Sequence, residues 1–144
     1  MTTDEVKKYL WQAYRLKDEL QREELKLEEL RSTVEYRSPS FEGMGGSGSG
    51  DKMSRSVERI IERSAKVDSL VDEYTAKYEE IEQTIKTLGN DKLEKILELR
   101  YLNYMKWDEI VEYTHYSERQ AKRLHGIALQ NLLKMAPNVI EWHT

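Results

Sequence analysis

The stretch Ser117-Glu118-Arg119-Gln120-Ala121-Lys122-Arg123-Leu124-His125 carries the side chains with most to offer a ligand. Ser117 and Gln120 have the S-x-x-Q spacing of a helix capping box. On a helix that starts there, Ala121 and Leu124 turn inward. Glu118, Arg119, Lys122 and Arg123 then point outward from the first turn and a half. The chemistry on offer is hydrogen bonding, not bond making. Arginine holds guanine O6 and N7 with two hydrogen bonds, and lysine takes the same acceptors or a phosphate. Arg119, Lys122 and Arg123 are the candidates for base contact, with Glu118 and Gln120 assisting. Glu118 can accept from cytosine N4 or pair with Lys122 four residues on. Ser117 at the helix N-terminus, His125 two turns later and Lys106 ahead of the preceding helix are placed for phosphate.

Bond-making chemistry finds no such set. His115, His125 and His143 are scattered, without partners at ligand spacing, so no metal or cofactor is expected. The Asp and Glu residues fall on solvated helical faces. The glycine-rich GMGGSGSG lacks the Gly-Lys-Ser/Thr ending that holds a nucleoside triphosphate. Cysteine is absent, which excludes disulfides and thiolate metal sites and suits a reducing cytoplasm. The sequence thus reads as a binding protein and not an enzyme.

Charge narrows the reading further. The net charge of −4 does not mark a general polyanion binder. From Ser117 to Lys134, however, four basic residues stand against one acidic residue, so positive charge is local to one helix. No apolar run is long enough for a membrane span and the N-terminus has no signal core, so a cytoplasmic protein is expected.

The elements that must position this helix follow from periodicity. Thr2 and Glu5 form a capping box, and Val6, Tyr9, Ala13, Leu16, Leu20, Leu27, Leu30 and Val34 step by three and four, with Glu23 as the one polar member. This predicts a first long helix over 1–35. Residues 36–50, YRSPSFEGMGGSGSG, read as a flexible loop. A second long helix over 51–89 carries Val57, Ile60, Ser64, Val67, Val71, Tyr74, Tyr78, Ile81, Ile85 and Leu88. Two matched helices with apolar seams suggest an antiparallel hairpin, packed on itself or on a second copy. Gly89 suits a left-handed helix end and Asn90 the next cap. Residues 90–144 then read as three shorter helices, 91–104, 107–113 and 118–135, with Pro137 as a stop and Val139, Ile140 and Trp142 as a docking tail. The expected fold is all-α.

The C-terminal part resembles region 4 of bacterial sigma factors. Leu97, Arg100 and Tyr101 carry L-x-x-RY, and Trp107, Glu109 and Ile110 carry W-x-E-I. Ser117, Arg119, Ala128, Leu129 and Leu132 complete the pattern. Over its whole length the chain is similar to the RinA/ArpU-type phage transcriptional regulators, which also join two long charged helices to sigma-like helices. That resemblance implies a helix-turn-helix that binds promoter or operator DNA. It further implies a phage or prophage regulator that activates late or packaging genes in a bacterial host, with RNA polymerase as a partner. Lys106 stands where the motif usually has Thr or Ser, His115 where it has Gly or Asn, and Gly126 interrupts the recognition helix. One such module buries little surface, so a dimer or higher oligomer through the long helices is expected. Two rival readings are a small terminase-like packaging protein and a coiled-coil adaptor that binds RNA polymerase without reading DNA.

Overall fold

The computed structural model describes residues 2–41 and 47–135, with side chains described for 2–35 and 52–135. Every regular element among them is helical: α1 (Thr3–Leu10), α2 (Gln12–Phe41), α3 (Ser47–Lys86), α4 (Asp91–Leu97), a π-helical turn (Glu98–Leu102), α5 (Trp107–Thr114) and α6 (Glu118–Met135). None of the described helices is long and apolar enough to cross a membrane.

The ends of these helices follow local chemistry. Thr2 Oγ1 accepts from the Glu5 N–H at 3.4 Å and caps α1. Gly89 takes φ +65° beyond α3, and Asn90 Oδ1 accepts from the Leu93 N–H at 3.2 Å to cap α4. The single first helix expected from the heptads is divided at Trp11. Its hydrogen bonding nevertheless continues, because the Trp11 N–H donates to Lys7 O and the Arg15 N–H donates to Trp11 O. The expected loop over 36–50 is shorter than its composition suggests. Helix α2 runs to Phe41 and α3 begins at Ser47. Pro39 falls in the last turn of α2 and forfeits one intrahelical hydrogen bond there, while Gly48 and Gly50 fall in the first turn of α3, where N–H groups have no intrahelical acceptor. The rest of that loop and the tail with Val139, Ile140 and Trp142 lie outside the described residues.

The chain divides into two units. One comprises residues up to Arg15 and those from Tyr74 onward, and the other comprises Leu16–Glu73. In the second unit, Leu20 and Leu27 of α2 pack with Val67 and Leu70 of α3. Burying each leucine is worth roughly 1.5–3 kcal/mol. The buried face of α3 is rotated from the expected seam: Leu70 is 6% exposed, whereas Val71 is 39% and Val57 42% exposed. Both 3–4 series through α3 pass through Ile60, Val67, Tyr74 and Ile81, and periodicity alone does not choose between Leu70 and Val71.

Glu23 explains the polar position in the α2 seam. It is 5% exposed and receives Arg63 at 2.5 Å, Lys66 at 3.3 Å and Lys26 at 3.4 Å. The Arg63 hydrogen bond leads in holding its carboxyl down to about 2, against the opposing effect of burial. Arg31 of α2 also donates to Ser64 Oγ at 3.3 Å, so the second polar seam position has a partner as well.

In the other unit, α1 is not an arm of a separate domain. Val6, Tyr9, Leu10 and Ala13 share one core with Ile81 and Ile85 of α3 and with α4, the π turn, α5 and α6. Leu10 adds an apolar residue beside the 3–4 seam, which broadens the stripe from a coiled-coil line to a face that fits a globular core. The Tyr9 hydroxyl donates to Glu80 Oε2 at 2.8 Å and shares a 3.0 Å hydrogen bond with Thr84 Oγ1.

Candidate nucleic-acid interface

The candidate face is built on α5, a three-residue turn and α6. The Lys106 N–H donates to Glu109 Oε1 at 3.0 Å, so Glu109 caps α5 from its third position although Ser or Thr is missing at the cap. Asp108 and Glu109 add favourable negative charge to that helix N-terminus. His115 closes α5 with φ +63°, and its N–H donates to Val111 O at 2.9 Å. The left-handed conformation that glycine or asparagine usually supplies is here adopted by histidine. Thr114 Oγ1 accepts from the Tyr116 N–H at 3.3 Å within the same turn.

Helix α6 starts as its sequence suggests. Ser117 Oγ accepts from the Gln120 N–H at 3.1 Å. Ala121 and Ala128 are fully buried, and Leu124, Leu129 and Leu132 are buried with them. This packing places Glu118, Arg119, Gln120, Lys122 and Arg123 on the exposed side. Ser117 and Lys106 are exposed as well. Lys122 Nζ pairs with Glu118 Oε1 at 2.9 Å and stands 6.0 Å from the Trp107 ring centroid. Of the five base-facing candidates, Glu118 and Lys122 therefore engage each other. Arg119 and Arg123 make no ion pair among the described residues.

His125 departs from its expected role at phosphate. Its Nε2 shares a 2.7 Å hydrogen bond with the Tyr101 hydroxyl, and its ring stacks on Tyr101 with centroids 5.6 Å apart. Trp107 meets it edge-on at 5.0 Å. Burial, then the positive charges of Lys7 and Arg100, push its pKa down to about 4. A neutral, inward imidazole has no charge to offer a phosphate near neutral pH.

No family model, curated protein or solved structure matches the chain.

The residues behind the face form a knot of aromatic rings around one cation. The Arg100 guanidinium carbon lies 5.2 Å from the Trp11 ring centroid and 4.9 Å from that of Trp107, while Trp11 meets Tyr101 at 4.8 Å. Such contacts contribute about 0.5–1 kcal/mol each at exposed sites and more when desolvated. Arg100 also donates to Met105 O at 2.9 Å, which fixes the chain after the π turn. Arg100, Tyr101 and Trp107 thus set the position of α6 and do not present a ligand surface. Sequence reading missed Trp11 as a member of this group, because it lies about ninety residues before Tyr101. The signal that would have found it is an aromatic residue next to Leu10, on a helix already broader than its seam. Among the described residues no group of three or more His, Asp or Glu is arranged to hold a metal ion.

Proposed function

We propose that this chain binds double-stranded DNA through the first turns of α6 and regulates transcription. In this reading α5, the His115 turn and α6 are a helix-turn-helix of the sigma region 4 kind, and α2 with α3 is an antiparallel hairpin. The observation that carries it is the division of α6 into two faces. Ala121 is fully buried while Arg119 and Arg123, two residues to either side, are exposed on a helix that begins with a free-facing N-terminal turn. A major groove accepts a helix presented in this way, and a bidentate arginine is among the commonest readers of guanine.

The contacts of Glu23 with Arg63 and Lys66, and of Arg31 with Ser64, support the hairpin. The resemblance adds the wider role: a phage or prophage activator of late or packaging genes, working with host RNA polymerase as a dimer or higher oligomer. Binding and not catalysis is the activity proposed. A titration of DNA affinity against salt tests it. Each phosphate contact should contribute a slope of about −0.9 in log K against log salt. The wild type should show a slope of several such units, and the Arg119→Ala/Arg123→Ala variant should bind far more weakly. No measurable DNA affinity at low salt would overturn the proposal.

A further inference from the structure

A second surface, on α3 and α4, has the opposite character to the α6 face. Tyr74 and Tyr78 stand one helical turn apart with ring centroids at 6.0 Å, tilted by 54°. Together with Thr75, Glu79 and Glu82 they line an open pocket of about 310 Å³. The Tyr74 ring is held in place, because its hydroxyl shares a 2.9 Å hydrogen bond with that of Tyr104. Tyr104 itself sits at φ +59°, a backbone conformation uncommon for a bulky residue.

Negative charge accumulates beside these rings. Glu98 has its pKa raised, first by burial and then by Glu82 and Glu94, and Lys86 does not cancel them. The Tyr78 pKa is raised first by burial and then by Glu82, Tyr74 and Glu98. Glu94 and Glu98, together with Asp91, line a groove of about 350 Å³ that also includes Lys95 and exposed Tyr113, so carboxylates outnumber the cation there. Aromatic faces flanked by carboxylates are the chemistry that holds an ammonium or guanidinium group. Carboxylates spread over α3 and α4 exceed what one small cation needs, and they repel nucleic acid.

We infer that the face formed by Tyr74, Tyr78, Glu79, Glu82, Glu94 and Glu98 docks a lysine- or arginine-bearing segment of a partner protein. The tyrosines receive one cationic side chain, and Glu94 of α4 with Glu98 of the π turn receives its neighbours. None of these residues is among those proposed to read DNA.

Calorimetric titration of the full chain tests this, with a short peptide carrying arginine at every third position and its citrulline counterpart, at about 0.15 M salt to screen unspecific attraction. The arginine peptide should bind and the citrulline peptide should not. Tyr78→Phe, which keeps the ring, should bind like the wild type. Tyr78→Leu should weaken binding about fivefold, the size of an exposed cation–π contact. Glu82→Gln/Glu98→Gln removes the charge of two half-buried carboxylates at nearly constant size and should weaken it by a similar factor. Failure of the arginine peptide to bind, equal binding of the citrulline peptide, or unchanged affinity in Tyr78→Leu or in Glu82→Gln/Glu98→Gln overturns the inference.

Discussion

The Tyr101 hydroxyl lies 2.7 Å from His125 Nε2, and this pair turns one polar side chain of α6 away from its exposed face. The structure holds the imidazole neutral, with a pKa of about 4 against an ordinary value of 6.5. Below 6.5 the unfolded chain takes up a proton that the folded chain refuses. Stability from this group is therefore complete above pH 6.5 and falls as pH drops from about 6.5 toward 4. Thermal melts across that window should show a falling Tm in the wild type and a flatter profile in His125→Phe. Equal pH profiles for the two proteins would show that His125 is protonated as easily in the fold as outside it.

Arg119→Ala and Arg123→Ala each remove an exposed side chain, so helicity should stay unchanged. Loss of a bidentate guanine contact costs about 1–3 kcal/mol and relaxes preference at one base pair. Circular dichroism and a base-by-base competition assay check both halves of this expectation. Lys122→Ala should cost less, because Lys122 is already paired with Glu118.

Glu23 should make the α2–α3 packing sensitive to acid. Its pKa is lowered to about 2, led by the Arg63 hydrogen bond. The stability it confers is present above its usual value of 4.5 and lost as pH falls from there toward 2, a window below that of His125. Glu23→Gln should lower Tm at neutral pH and remove the acid dependence in this range. Glu23→Leu should raise Tm but broaden the distribution of species in a sedimentation experiment, since a buried polar residue is the best-attested device for fixing helix register.

Gly126 lies within α6 with nothing within 4 Å of an added Cβ. Gly126→Ala should therefore stabilise the protein by about 0.5–1 kcal/mol in denaturant unfolding, the ordinary helical cost of glycine. If the same variant binds DNA more weakly, the glycine serves close approach of the DNA backbone.

The parts of the fold that could be read from sequence are those set by neighbouring residues. Ser117 capping Gln120, Ala121 facing inward, Gly89 at a left-handed end and Asn90 as a cap each depend on positions within a turn of one another. Glu23 was visible as the polar member of a seam, but its partners Arg63 and Lys66 lie about forty residues away. Leu70 and Val71 compete for the same seam, and only packing against α2 decides between them. Trp11, Arg100 and Tyr101 needed the docking of α1 on α6, which no local period reveals. The π turn at Glu98–Leu102 likewise hid inside what reads as one helix, since its Asn103 N–H to Glu98 O bond leaves no periodic trace. For the candidate site the same boundary holds: the exposed arginines followed from helical spacing, whereas the inward turn of His125 followed from aromatic rings on other elements.

Selection of duplexes from a random pool with the purified full chain tests the proposed DNA reading most directly. A shared motif containing guanines should be enriched by the wild type and lost with Arg119→Ala/Arg123→Ala. A pool that stays random after repeated rounds at low salt, or a motif equally enriched by that variant, would contradict it.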